Sequence, residues 1–225
     1  MFVWELILID TQGLYDIVVR AIVLFTAIPV HESAHAWVAD KLGDSTARNM
    51  GRLTLNPFAH LDLFGSLMML MTGFGWAKPV PINGRNLKNI KRDMAITSIA
   101  GPISNILLAL LFVVLLKVMI LTMGMEAVLS STAAALFHIL LTMISINIGL
   151  AVFNLLPIPP LDGSRLLTAL LPAKLYYKLL QYERFIMLGL FFLLFTGVLS
   201  LPLNLLSNYL LHGIDFITGF LGRIF

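Results

Sequence analysis

Four long apolar stretches, residues 17–30, 103–116, 133–157 and 185–203, leave this chain few folds to choose from. With their flanks each is near or within the length that crosses a bilayer, about 20 residues. Only 12% of the 225 residues are charged, against about 25% in soluble domains, and 59% are hydrophobic. The expectation is an all-α polytopic membrane protein embedded in a lipid bilayer, with no soluble domain beside it. The surplus of three positive charges sits in loops. No basic run with interleaved aromatics points to nucleic acid.

The expected order is a helix over about 14–42, a punctuated region over 43–81, helices over about 92–123 and 132–156, and two closing hydrophobic segments, about 183–199 and 203–220. That makes about five transmembrane helices. Within 43–81, residues 51–57 and 73–81 carry Gly, Pro and Asn breaks and fit short β-like strands better than helices. Residues 63–71 between them are apolar but too short to span, which predicts a re-entrant segment. Irregular backbone at that depth is tolerated only against protein or a water-filled cavity. Residues 1–10 mix Trp4 and Leu6 with Glu5 and Asp10, as expected of an interfacial segment, and lack the basic start and cleavage site of a signal peptide. One domain is expected, with a core over about 14–171 and C-terminal helices over about 172–225.

Charge sets the expected orientation. Lys78, Arg85, Lys88, Lys91 and Arg92 precede the third helical region, and Arg165, Lys174, Lys178 and Arg184 follow the fourth, while the turn between those helices holds only Glu126. Positive-inside bias makes both basic regions cytoplasmic and the Glu126 turn external.

The first helix carries His31-Glu32-Ser33-Ala34-His35. Residues four apart share a helix face, so both imidazoles can grip one Zn²⁺ while Glu32 acts on water at the metal. His31 lies ten residues before Lys41, which puts such a centre about 15 Å below the cytoplasmic boundary. There is no cysteine, so the ligands must be His, Asp or Glu. Val38 and Lys41 stand where the extended soluble motif needs Gly and His, which excludes the metzincins. For a third ligand Asp162 stands out, just after the prolines at 157, 159 and 160 and at a depth comparable to His31. An intramembrane carboxylate needs a partner such as a metal, but Asp162 is also placed to cap a short helix over 163–171. Both roles stay open on the sequence alone.

Residues 31–35, Ala100-Gly-Pro-Ile-Ser-Asn105 and Asn154-Leu-Leu-Pro-Ile-Pro-Pro-Leu-Asp162-Gly163 together resemble the site-2 protease family of intramembrane zinc metalloproteases, over about residues 21–171. The resemblance implies that His31, His35 and Asp162 bind zinc, that Glu32 is the catalytic base, and that the substrates are transmembrane segments of other proteins. It also implies that 51–57 and 73–81 form the family's membrane-embedded hairpin. Many members carry a PDZ or CBS domain, for which this chain has no room.

Other residues carry two readings each. Asn105 and Asn154 bind substrate or an oxyanion, or else tie two helices together. His60 and Asp62 are two apart, poor spacing for a metal pair, and fit better as a capping loop. His138 and His212 read as packing, Met68, Met69 and Met71 as apolar lining, and Trp37 as an interface marker. Ser33, Ser98 and Ser104 have no His and carboxylate arrangement of their own. Trp76, Lys78 and Val80 lie in a candidate substrate-pairing strand, 76–82: the missing N–H groups of Pro79 and Pro81 fall on one side, leaving the donors of Lys78, Val80 and Ile82 for a partner strand. Alternatively the prolines only protect an edge. The rival function is a transporter or channel using the His/Asp cluster as an ion relay.

Overall fold

The computed structural model describes residues 11–72, 75–130 and 133–222. The interfacial stretch expected over residues 1–10 lies outside them. The helices are α1 (Thr11–Phe25), α2 (Ala27–Lys41), α3 (Thr46–Asn49), α4 (Leu63–Thr72), α5 (Ile90–Met123), α6 (Met125–Ser130), α7 (Ala133–Asn154), α8 (Leu167–Leu170), α9 (Ala173–Gln181), α10 (Glu183–Phe195) and α11 (Ser200–Ile217).

The expected first helix is broken at Thr26, between α1 and α2. Pro29 is the reason: its ring has no room for the carbonyl four residues back, that of Phe25. The Thr26 hydroxyl also donates to the Ile22 carbonyl at 2.6 Å, a bond that bends helices. α5 is capped reciprocally, the Asn89 carboxamide accepting from Arg92 N–H at 3.1 Å and the Asp93 carboxylate from Asn89 N–H at 2.8 Å. It runs 34 residues and stops at Gly124, whose φ of 77° favours glycine.

The main core joins α5, α7 and α11. Ala109, Val113 and Leu116 meet Leu140, Ile144, Ile148 and Val152, a ridge with a period of four, and Ile214 of α11. Lipid is as apolar as leucine, so such helices gain from close packing rather than from escape from water. Lys117 is fully buried beside this core, 2.7 Å from the Asp215 carboxylate.

Among the described residues three spans are long and apolar enough to cross a bilayer, Ile17–Lys41 (α1 and α2 taken together), α5 and α7, or four if the bent pair α10 and α11 counts as one. This is fewer than the five expected. Hydropathy sees two closing segments, but α10 has only 13 residues and the pair bends by 83° near Gly197, whose φ is 74°.

The expected β-hairpin is absent among the described residues. One antiparallel bridge, Leu61 with Ala77, stands in its place, with Lys78 N–H donating to the His60 carbonyl at 2.9 Å. Prolines explain this. Pro79 and Pro81 have no N–H for a ladder, and Asn56-Pro57 starts a 3-10 turn, Pro57–Ala59, where the partner strand should continue. Residues 51–57 reach 78–79 through a side chain instead, the Arg52 guanidinium.

The short segment expected between the strands is α4, ten residues long and unable to cross a bilayer. Asp62 caps its N-terminus through Gly65 N–H at 2.8 Å. Arg20 of α1 caps the other end, donating to the carbonyls of Leu70 at 2.9 Å and Met71 at 3.1 Å. Gly65 and Gly75 let α4 cross the following segment at backbone contact; a Cβ on Gly65 would overlap the Trp76 carbonyl. The far end of that segment is held by Asp44, whose buried carboxylate accepts from Asn83 N–H, the Asn86 amide and Thr46. Residues 75–83 are thus pinned at both ends, beside α2.

Candidate metal centre

The ligand triangle starts from helical spacing. His31 and His35 lie on one face of α2, with Nε2 atoms 3.1 Å apart. Asp162 approaches from the opposite side, its Oδ2 3.0 Å from His31 Nε2 and 3.2 Å from His35 Nε2. It opens the 3-10 turn Asp162–Leu166, entered from α7 past Pro157, Pro159 and Pro160. The cap position there is Leu161 and has no side-chain cap bond, so the carboxylate serves the histidines and not the turn. Gly163 is required because a Cβ would overlap the carbonyls of Leu155 and Leu156.

Both imidazoles are oriented by α5. His35 Nδ1 donates to the Thr97 carbonyl at 2.8 Å, and His31 Nδ1 to the Asn105 carboxamide oxygen at 3.0 Å. With Nδ1–H used outward, each neutral ring turns the lone pair of Nε2 toward the centre. In that neutral form two nitrogen lone pairs and a carboxylate oxygen converge with no hydrogen between them. Such a set repels itself unless a cation lies among the three. Tetrahedral bonds of about 2.0–2.1 Å would hold N and O ligands roughly 3.3 Å apart, close to the distances here. The residues fit zinc.

Gly101 lies between the two α5 contacts and touches both rings; a Cβ there would fall on the Nε2 atoms. Thr97, Gly101 and Asn105 are four apart, so one stripe of α5 matches the His pair of α2. His35 meets the earlier residue and His31 the later one, which makes the two helices antiparallel.

Glu32 does not join the triangle. Its Oε2 accepts from Val80 N–H at 2.8 Å, and it lines a cavity of about 330 Å³ together with His31, Asp162, Asn105, Asn154, Trp76 and Arg165. Of the residues expected to bind substrate, Asn105, Asn154 and Trp76 therefore face the same space. Lys78 and Val80 require a correction. Their N–H groups were expected to await a partner strand, but they are spent inside the chain, on the His60 carbonyl and on Glu32.

Other expectations resolve simply. His60 is fully buried, its Nε2 2.7 Å from the Thr54 carbonyl; it neither pairs with Asp62 for a metal nor caps α4, which Asp62 does. The Ser33 hydroxyl donates to the same Thr54 carbonyl. His138 packs edge-on against Phe137. Arg20, Arg52 and Lys117 were missed as individuals. For Arg20 and Lys117 the signal was present: a charge inside an apolar run demands a partner.

A bundle of apolar helices holding a His-Glu-x-x-His motif and an aspartate beside one cavity is the architecture of a membrane zinc protease. The chain belongs to peptidase family M50, the site-2 protease family, whose model matches residues 19–197. It is 45% identical over 169 residues to "Putative zinc metalloprotease YwhC" of Bacillus subtilis (strain 168), covering 75% of each chain. It is 31% identical over 140 residues to "Putative zinc metalloprotease Rip2" of Mycolicibacterium smegmatis, and 33% identical to the protein of that name in Mycobacterium tuberculosis, covering 60% of this chain and 50% of each relative. No solved structure matches. The protein is a zinc metalloprotease.

Proposed function

We propose that this protein is an intramembrane endopeptidase that hydrolyses transmembrane segments of other membrane proteins, with His31, His35 and Asp162 holding zinc and Glu32 as general base. The observation that carries the reading is the convergence of three ligand atoms within 3.2 Å, beside a cavity that Glu32 lines. Zinc, when bound, polarises the scissile carbonyl and brings the pKa of water to about 7. With Oε2 tethered to Val80, Glu32 uses Oε1 to take the proton of the attacking water and later passes it to the leaving amine. Asn105 spends its oxygen on His31, while its buried Nδ2 has no partner among the described residues and is the donor available to a substrate carbonyl. Asn154 supplies a second polar group and Trp76 an apolar wall. A helical substrate must unwind to expose a peptide bond, and residues 76–82 remain the proposed surface for the unwound strand. Because the N–H groups of Lys78 and Val80 are already engaged, pairing there must exchange those bonds or use the segment's other backbone groups.

The test uses purified protein in lipid vesicles with a fluorophore-quencher transmembrane peptide bearing a central Gly-Pro break. Glu32→Gln is expected to lose about 10²–10⁴-fold in turnover with zinc still bound, and Asp162→Ala to lose the zinc itself. Retained cleavage by Glu32→Gln removes the reading. Orientation is tested separately. A cysteine replacing Glu126 is expected to label from outside intact cells and one replacing Lys88 only after permeabilisation, which puts the centre on the cytoplasmic side. The reverse pattern inverts the assignment.

A further inference from the structure

The Pro79–Val80 peptide unit lies between two opposite charges. At one end the Pro79 carbonyl is 3.3 Å from Arg52 Nη2, which also donates to the Lys78 carbonyl at 2.6 Å. At the other end the Val80 N–H donates to Glu32 Oε2 at 2.8 Å. A peptide unit is rigid and planar, so fixing its oxygen fixes the direction of its N–H. Its dipole runs head to tail between the guanidinium and the carboxylate, and each bond polarises the other. Prolines on both sides of Val80 leave its N–H as the only backbone donor across 79–81.

Arg52 itself is 8% exposed, and the hydrogen bonds of its guanidinium go to the carbonyls of Lys78 and Pro79. Its Nε has no partner among the described residues. Burying a guanidinium against two backbone carbonyls is an expensive way to hold a loop, since an apolar side chain holds one at lower desolvation cost. The position of those carbonyls, directly before the amide that binds the base, gives the charge a use. Residues 75–83 are independently anchored by the Gly65 crossing and by Asp44, so Arg52 is left to set the tilt of one peptide plane rather than the course of the chain.

We propose that Arg52 is a positioning residue for Glu32, acting through the Pro79–Val80 peptide to hold one carboxylate oxygen so that the other faces the reacting water. The proposal rests on the protease reading given above for its kinetic consequence, but not for its structural one.

Three readouts test it: turnover of the same transmembrane peptide, zinc per protein, and the Val80 amide resonance in ¹⁵N-valine-labelled protein, identified by its loss in Val80→Ala. Arg52→Met is expected to lower kcat about 10–100-fold, the range for groups that orient a catalytic side chain, with KM within about twofold and zinc unchanged. The Val80 amide proton is expected to move upfield in Arg52→Met and also in Glu32→Gln. Arg52→Lys, which keeps the charge but not the planar fork, is expected to restore part of kcat, and Arg48→Met, on the exposed partner of Asp40, to change none of the three. Unchanged kcat, an unmoved Val80 resonance, or a loss that falls on KM or zinc each overturns the proposal. If Arg52→Met does not fold, Arg52→Lys decides alone, since a lowered kcat must come with a shifted Val80 amide. A zinc-loaded wild type that cleaves no membrane peptide sinks the protease reading instead, and the response of the Val80 resonance to Arg52→Met and Glu32→Gln still decides the structural claim.

Discussion

Helices α2 and α5 meet through directional polar contacts four residues apart, whereas α11 is held to α5 by apolar packing and one charged peg. On the first side, two imidazoles, a backbone carbonyl, a carboxamide and a glycine interlock within two turns. On the second, Ile214, Leu203, Leu210 and Leu211 lie against the core, and Lys117 reaches the Asp215 carboxylate and the carbonyls of Asp215 and Thr218. Apolar packing tolerates sliding, because one methyl contact replaces another. Hydrogen bonds to a fixed atom do not. The site therefore sits where register is enforced at several points, and the C-terminal pair sits where a single side chain, Lys117, enforces it.

The sharpest way to break this contrast is Gly101→Ala. One added methyl on α5 pushes both ligand rings aside, so zinc and cleavage are expected to be lost together while helical content by circular dichroism persists. Zinc retained at wild-type stoichiometry would show that the two helices slide after all. Lys117→Met tests the other side: leaving Asp215 opposite a thioether is expected to cost about 3–5 kcal/mol in detergent unfolding, with zinc per folded molecule unchanged. Equal loss of zinc there would mean that the two regions form one cooperative unit.

The smallest expected effect concerns Asp44, at the end of the pinned segment. Burial pushes its carboxyl upward, but hydrogen bonds from Thr46, Asn86 and the amides of Asn83 and Thr46 outweigh this and hold it below the usual carboxylate range. A pKa lowered by folding stabilises the protein above the unfolded value, near pH 4, and that contribution is lost as pH falls through the folded value. Asp44→Asn is expected to lower Tm by about 2–4 °C at neutral pH, the equivalent of one lost hydrogen bond. The difference from wild type should close below about pH 4. A gap independent of pH would assign Asp44 a purely steric role.

What was legible from residues alone follows the same division. The His pair and Glu32 could be read because their geometry lies within one helix, and helical spacing is local. Asp162 could be singled out as an intramembrane carboxylate needing a partner, though not told apart from a cap, since that depends on where α7 delivers it. The Thr26 break was visible in Pro29 and was overridden by the length of the apolar run. The hairpin failed because Gly and Pro spacing marks where chain turns but not whether the turned pieces pair, and prolines at 79 and 81 remove the donors that pairing needs. Arg52 stands in the punctuated loop region, where a charge is unremarkable. Its bonds to carbonyls 26 and 27 residues away are tertiary, and no periodicity reports them.

The matched spacing of α2 and α5 makes the metal centre a vernier between two rods. One residue inserted into α5 between Thr97 and Asn105 advances everything beyond it by about 1.5 Å and turns it by about 100°. Thr97 could still meet His35, but Asn105 would then point away from His31. Loops elsewhere can grow or shrink without disturbing that alignment. This eight-residue step cannot, so insertions and deletions compatible with a working centre must lie outside it.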